Sequence, residues 1–260
     1  MKQLSSADNP LFKTLRALAH EPAAVRRLGQ AWLEGIHLGA AALDAGLQPL
    51  ALVCTQQALR DPEVAALTAR VAQSRLVLLD DALFRQLSSV RHGPGVGLLI
   101  ERPAGAAPRA GVAVVLDRVQ DAGNVGAVLR TAAAAGAGVV YCLRGCAGAW
   151  TPKVLRAAMG AHFAVPVVED LQWPQVEPLL PRPLYATAAH GARGLYELDL
   201  RGDVSWVFGN EGAGVDPQLL ARCDAAVGIP QRGAVESLNI AAAAAVCLYE
   251  GLRQQLAAAR

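Results

Sequence analysis

A chain of 260 residues is long enough for one large or two medium domains, each with its own core. Its net charge of +2, from 24 basic and 22 acidic side chains, is too small to predict a nucleic-acid partner by itself. Hydrophobic residues reach 53% while aromatics stay at 5%, so Ala, Val, Leu and Gly dominate, the makeup of an α/β protein with closely packed helices.

In chain order, Asn9-Pro10 opens a helix through Ala19, and Ala31 to Glu34 reads as a short strand. His37 to Ala45 reads as helix, Leu50 to Cys54 as strand, Pro62 to Gln73 as helix and Leu76 to Leu79 as strand. Asp81 to Leu87 follows as helix and Val96 to Ile100 as a closing strand. This is a compact α/β unit of its own. The run Arg102-Pro103-Ala104-Gly105-Ala106-Ala107-Pro108-Arg109 then marks a linker, which gives a first domain over 1–103, a linker over 104–111 and a second domain over 112–260. Basic and acidic residues number 11 and 9 before residue 104, and 13 and 13 after it. Any basic surface is therefore a local patch.

The second unit opens with Val112 to Leu116, a continuous apolar run of the kind buried on both faces of a parallel sheet. Further strands are expected at Val139 to Leu143, Val165 to Val168, Leu184 to Thr187, Val204 to Phe208 and Ala225 to Ile229. Helical segments separate most of them, which favours parallel crossovers. Ligands in such sheets sit at the carboxyl ends of the strands, where the strand order reverses. The five cysteines, Cys54, Cys142, Cys146, Cys223 and Cys247, are an odd number in apolar stretches without a Cys-x-x-Cys pair, so they read as reduced, buried thiols and no metal is expected. No apolar run approaches the roughly 20 residues of a membrane span, and the N-terminus lacks a signal-peptide core. A soluble, cytoplasmic protein with no membrane partner is the expectation.

Three glycine-punctuated segments lie at predicted strand ends. The first is Asn124-Val125-Gly126-Ala127-Val128-Leu129-Arg130-Thr131, where Asn124 is a residue type that caps helices. Val125, Val128, Leu129 and Ala132 form one stripe, and at about 100° per residue Arg130 points about 140° from Val125, off the core face. The second is Phe208-Gly209-Asn210-Glu211-Gly212-Ala213-Gly214, a sharp loop whose glycines permit positive φ and close backbone approach. Its Gly-x-x-Gly-x-Gly spacing is neither a dinucleotide fingerprint nor a P-loop, which disfavours a nicotinamide or nucleoside-triphosphate site. The third, Ile229-Pro230-Gln231-Arg232-Gly233-Ala234-Val235-Glu236-Ser237-Leu238-Asn239-Ile240, breaks from a strand and hands into a side-chain-poor helix at Ala241 to Ala245. That handover builds a ligand pocket. Ser237 and Asn239 also read as helix caps.

In this order and spacing, the segments resemble the SpoU (TrmH) family of RNA 2′-O-ribose methyltransferases in the SPOUT superfamily, over roughly residues 112 to 250. Asn124, Gly126 and Arg130 match the first motif of that family, Gly209 to Gly214 the second, and Ile229 to Asn239 the third. The residue after Ile-Pro is commonly Met in the family; here it is Gln231. Spacing alone gives an ordinary doubly wound sheet, whereas the resemblance implies a parallel-sheet domain whose C-terminal segment threads a loop as a deep trefoil knot. The opening Asn9-Pro10-Leu11-Phe12-Lys13 and Trp32-Leu33-Glu34-Gly35 resembles the small L30e-like α/β domain that many ribosomal-RNA members carry for substrate binding.

The resemblance implies methyl transfer from S-adenosylmethionine to a ribose 2′-hydroxyl of RNA, with ribosomal RNA favoured by the N-terminal domain, and a homodimer. It assigns catalytic positions to Arg130, Asn124, Glu211, Ser237 and Asn239. It assigns the cofactor to Thr187, Ala188, Gly209, Asn210, Gly214, Ile229, Pro230, Ser237 and Leu238. Lys13, Arg16, Arg26, Arg27 and Arg130 are the RNA-binding candidates; His37 could add a phosphate contact, and His92 reads as a loop residue. A guanidinium stays charged at physiological pH, so Arg130 is expected to act as an electrostatic clamp on phosphate and developing alkoxide. Glu211 is expected to orient Asn124 or Arg130. The competing readings are a transfer-RNA methyltransferase and a non-catalytic RNA-binding module that keeps the pocket.

Overall fold

The computed structural model describes residues 2–88, 93–103, 107–189, 193–234 and 236–259. His92, Val235 and residues 104–106 of the expected linker lie outside them. The chain divides into two compact units, Met1–Ala104 with Trp150–Phe163, and Gly105–Ala149 with Ala164–Arg260. The segment 150–163, expected in the second unit, thus groups with the first.

In the first unit, β1 (Lys2–Leu4), β2 (Gln30–Glu34), β3 (Ala51–Cys54), β4 (Leu76–Leu79) and β5 (Val96–Glu101) form one sheet in the order β1-β4-β3-β5-β2. The β1, β4 and β3 strands are parallel, and β5 runs antiparallel to both its neighbours. Helix Pro10–His20 begins where Asn9 Oδ1 accepts the Leu11 amide at 2.9 Å and Pro10 pre-sets the first turn. Phe12, Leu15 and Leu18 then recur on its buried face. Two elements were not expected: β1, too short to show a period, and helix Pro22–Leu28, whose Ala-Arg run carries little apolar pattern. The helix expected to reach Gln73 stops at Ala69, where Arg70 and Val71 close the turn onto the carbonyls of Leu67 and Thr68. That expected to reach Leu87 is helical only over Asp81–Phe84. Helix Pro152–Ala158 packs on β2.

The second unit holds β6 (Ala113–Leu116), β7 (Val139–Leu143), β8 (Val167–Leu171), β9 (Leu184–Thr187), β10 (Arg193–Gly194), β11 (Ser205–Phe208) and β12 (Ala225–Gly228) in one parallel sheet, ordered β10-β12-β9-β11-β6-β7-β8. Every residue of β6, β7 and β11 is buried, as their unbroken apolar runs require of strands covered on both faces. One side of the core gathers Val115, Tyr141, Leu184 and Val207. The strand expected from Val165 instead spans Val167–Leu171, and β12 ends at Gly228, which leaves Ile229 and Pro230 in the turn.

From β6 the chain builds outward to β7 and β8, then returns to the other side for β9, β11 and β12. The order reverses between β6 and β11, whose last residues Leu116 and Phe208 lie in register. A crevice outside the carboxyl ends of parallel strands opens at such a reversal. Helix Ala122–Ala134 follows β6 and packs against the last helix, Ile240–Ala258.

Candidate cofactor and catalytic site

The loop leaving β6 is held by Asp117, which is only 3% exposed. Its carboxylate accepts both Nε (2.9 Å) and Nη2 (2.8 Å) of Arg118, and also the Asp216 amide at 2.8 Å. A buried carboxylate needs such partners. Arg118 sits at φ 54°, left-handed backbone that costs a non-glycine residue free energy and persists only where its surroundings impose it. Here the bidentate ion pair imposes it.

The second glycine loop folds around Asn210. Its Oδ1 accepts the amides of Gly212 (3.0 Å) and Ala213 (2.9 Å), and its Nδ2 donates to the Arg118 carbonyl at 2.9 Å. The backbones of Asn210 and Gly214 exchange bonds of 3.0 and 2.9 Å. Gly214 takes φ +70°, and a Cβ on Gly209 would lie 2.1 Å from the Val215 nitrogen, so no other residue fits at 209 without moving the loop.

Helix Ala122–Ala134 starts earlier than expected. Its cap is Asp121, whose Oδ1 accepts the Asn124 amide at 2.8 Å. Asn124 therefore lies in the first turn with its side chain free of capping. That amide instead donates from Nδ2 to Glu211 Oε1 at 3.1 Å, and its Oδ1 accepts Nδ2 of Asn239 at 2.9 Å. Glu211 also accepts the amides of Asp121 (3.1 Å) and Gln120 (3.3 Å). Asn239 caps the last helix through Oδ1, with Ala241 at 2.8 Å and Ala242 at 3.3 Å. One residue from each motif thus joins a single chain of hydrogen bonds. Burial opposes ionisation of Glu211, but the bonds from Asn124, its own amide, Asp121 and Gln120 outweigh it and hold the carboxyl below its ordinary value.

Beside this relay lies a cavity of about 650 Å³ at the carboxyl ends of β9, β11 and β12, within the usual size of small-molecule sites. Thr187, Ala188, Gly209, Asn210, Gly214, Ile229, Ser237 and Leu238 all line it, as do Glu211 and Asn239. Pro230 and Arg130 do not belong to its lining. Ser237 makes no capping bond; Asn239 alone caps the last helix. Ala189, Gly212, Val227, Gln231, Glu236, Ile240 and Ala243 complete the wall, and sequence reasoning had not assigned them. The Oε1 of Gln231 is buried there without a hydrogen-bond partner. A cavity of this size, walled by strand ends, glycines and small side chains, fits a nucleoside-bearing ligand such as S-adenosylmethionine.

Comparison with known proteins agrees with this geometry. Residues 111–249 match the model of the SpoU rRNA Methylase family. The chain belongs to that family. It is a methyltransferase, as its motifs implied. The methylase is 31% identical over 251 residues to the 23S rRNA (guanosine(2553)-2′-O)-methyltransferase RlmP of Bacillus subtilis, covering 96% of this chain and 98% of the relative. It is 32% identical over 248 residues to the 23S rRNA (guanosine-2′-O-)-methyltransferase RlmB of Coxiella burnetii, covering 86% and 96%. Among solved structures, the SpoU methyltransferase AviRb of Streptomyces viridochromogenes in complex with AdoMet superposes with a TM-score of 0.88 at 26% identity, over 95% of this chain and 98% of that one.

On the methylase, Arg130 is exposed and has no hydrogen bond or ion pair to any described residue. Lys13, Arg16, Arg26, Arg27 and His37 are all exposed on the first unit. Lys13 pairs with Asp8 at 3.1 Å and Arg27 with Glu21 at 3.2 Å. No group of three or more His, Cys, Asp or Glu that could hold a metal occurs among the described residues, and no described helix is long and apolar enough to cross a membrane. The Cys146 thiol donates to the Leu116 carbonyl at 3.2 Å and accepts the Val119 amide at 3.3 Å, which ties the loop after β6; burial pushes it up to about 11. The methylase departs from sequence expectation chiefly in Asp117, Arg118 and Asp216. A run of hydrophobics ending in Asp-Arg gave no local sign of a buried ion pair.

Proposed function

We propose that this methylase transfers the methyl group of S-adenosylmethionine to a ribose 2′-hydroxyl in ribosomal RNA. The observation that carries this is the relay Asn239–Asn124–Glu211 beside the cavity, which places one side chain from each motif at a single point. When bound, S-adenosylmethionine supplies an electrophilic methyl group on a sulfonium centre.

The protein's residues do the rest by holding and orienting. Glu211, fixed by two backbone amides, sets the Asn124 amide in one orientation, and Asn239 locks it from the other side. A methyl transfer needs its nucleophilic oxygen held in line, and a rigid polar edge suits that task. Arg130, on the same helix as Asn124 and without a partner among the described residues, grips an RNA phosphate bidentately and favours the negative charge that grows on the 2′-oxygen. A phosphate oxygen held by Arg130 is the acceptor for the hydroxyl proton, since a guanidinium is no base near neutral pH. The naming of the Bacillus and Coxiella relatives as 23S rRNA guanosine methyltransferases supports a guanosine of large-subunit RNA.

The first unit, by the same reading, is an L30e-like RNA-binding domain using Lys13, Arg16, Arg26 and Arg27, and the cytoplasm is where the enzyme meets its RNA. The second unit is a trefoil knot closed by the C-terminal segment, in keeping with Asn239 being drawn to Asn124. A homodimer is supported by Tyr249 and Leu256, 49% and 59% exposed and seven residues apart on one face of the last helix.

The test is titration calorimetry with S-adenosylmethionine and its demethylated product, followed by transfer of labelled methyl to ribosomal RNA from a strain lacking the protein. Binding with label recovered in alkali-resistant dinucleotides is expected. Binding without transfer to any RNA would favour the non-catalytic module, and no binding would overturn the cavity assignment.

A further inference from the structure

We infer that Arg118 is a positioning residue for methyl transfer, its guanidinium clasping the loop after β6 to the loop after β11 so that Glu211 holds Asn124 in one orientation. This rests on the reading of the site as a ribose methyltransferase and goes beyond it by giving the reaction a residue outside the three motifs.

Ties between the two loops converge on this residue. The Arg118 carbonyl accepts Nδ2 of Asn210 at 2.9 Å, its Nη2 lies 3.5 Å from the Gly214 carbonyl, and its Nη1 lies 3.8 Å from the Asp216 carboxylate. Asp117, which Arg118 grips through Nε and Nη2, accepts the Asp216 amide as well. Glu211 stands between these ties and accepts the amides of Gln120 and Asp121, close beyond Arg118 in the chain. A slip of either loop therefore reaches the carboxylate that orients Asn124. The chain also makes room for the side chain: Gly145, in the loop after β7 at φ +95°, would bring a Cβ to 3.0 Å from Arg118 Cγ. Finally, the side chain is needed beyond the turn it occupies. Glycine takes a left-handed φ at no steric cost, whereas Arg118 bears that cost at 54°. Asp117 is only 3% exposed, and a buried carboxylate stripped of its cation is left with an uncompensated charge. Lysine brings a point charge without a fixed fork, so it does not span the carboxylate as Arg118 does.

The test compares Arg118→Gly, which keeps the left-handed turn and deletes the clasp, with Arg118→Lys, which keeps the charge. Calorimetry would measure the affinity for S-adenosylmethionine, and initial rates of methyl transfer to ribosomal RNA would give kcat and KM. Both variants are expected to fold and to bind the cofactor within about threefold of wild type, with KM for RNA little changed. The kcat of Arg118→Gly is expected to fall at least about tenfold and that of Arg118→Lys by less, because a small misplacement of reacting groups costs up to about 100-fold. Free guanidinium at millimolar concentration, far below denaturing levels, is expected to restore part of the kcat of Arg118→Gly and none of that of Arg118→Lys, whose own side chain fills the place. A sodium chloride control of equal ionic strength separates this from the general effect of salt on RNA binding. A wild-type kcat in Arg118→Gly overturns the inference, because the turn alone then suffices. A raised KM with kcat intact overturns it as well, because the half-buried guanidinium then holds RNA and not the loops. Loss of cofactor affinity in step with kcat would show that the residue only shapes the cavity, and unfolding of both variants that it only supports the fold; either result also sinks the inference. If wild type itself transfers no methyl to any RNA, the reading of the activity fails first and the inference falls with it.

Discussion

Asn239 donates from Nδ2 to Oδ1 of Asn124 at 2.9 Å across 115 residues of sequence, while its own Oδ1 accepts the Ala241 amide at 2.8 Å. One side-chain amide thus does two jobs that mutation can separate. Asp in its place keeps the acceptor that caps the last helix and loses the donor toward Asn124. Asn239→Ala is expected to cost about 1 kcal/mol of stability through the lost cap, and Asn239→Asp less than that, by urea denaturation. Both are expected to lower the initial rate of methyl transfer at least tenfold. An Asp variant with full activity would show that the relay does not orient Asn124.

Glu211 offers a pH signature. Because its carboxyl titrates lower in the folded protein than an ordinary glutamate, the native state binds fewer protons than the unfolded state between the two values, and stability rises with pH across that window. The stabilising contribution is complete above about pH 4.3, the usual value for an unfolded glutamate, and is lost as pH falls through the lower folded value. Unfolding free energies of wild type and Glu211→Gln from pH 7 to 3 should therefore differ by a constant amount above about pH 5 and converge on acidification. A gap that widens toward low pH would contradict the hydrogen-bonding assigned to this carboxylate.

Two glycines make a matched pair. A Cβ at position 209 would meet backbone atoms at 2.1 and 2.2 Å, whereas one at position 233 meets nothing within 4 Å. Gly209→Ala is expected to destabilise by about 3 kcal/mol or more, or to displace the loop and abolish ligand binding, while Gly233→Ala stays within about 0.5 kcal/mol of wild type. Thermal unfolding and calorimetry on both variants check this.

Arg130→Ala is expected to leave stability and cofactor affinity unchanged, since the side chain is exposed and lies outside the cavity wall. Methyl transfer should fall by about 100-fold or more, the scale of losing one electrostatic contact in a transition state. Wild-type turnover would remove Arg130 from the mechanism.

How far the sequence reaches depends on whether a feature is local. The strands β6, β7 and β11 announce themselves because strands covered on both faces must be apolar throughout, and the cavity follows because its glycines and small residues sit at the ends of β9, β11 and β12. Asn124 misled as a cap because Asp121, three residues earlier, is an equally good cap and wins by accepting the Asn124 amide itself. Asn210 lies in the wall as expected, yet its side chain is spent on folding its own loop. The buried Asp117, the left-handed Arg118 and their tie to the Asp216 amide join residues about 100 positions apart, and no window of sequence contains them. The grouping of residues 150–163 with the first unit is likewise set by tertiary contact alone.

The relay has a consequence for the protein's own synthesis. Chains emerge from the ribosome N-terminus first, and of the three linked side chains Asn124 comes early, Glu211 late and Asn239 later still. A growing chain with β6 to β12 already paired still lacks the residue that locks Asn124 and the cavity wall from Glu236 to Ala243. Competence therefore waits until these residues have been made, and a product truncated before position 239 would keep much of its sheet and none of its completed site.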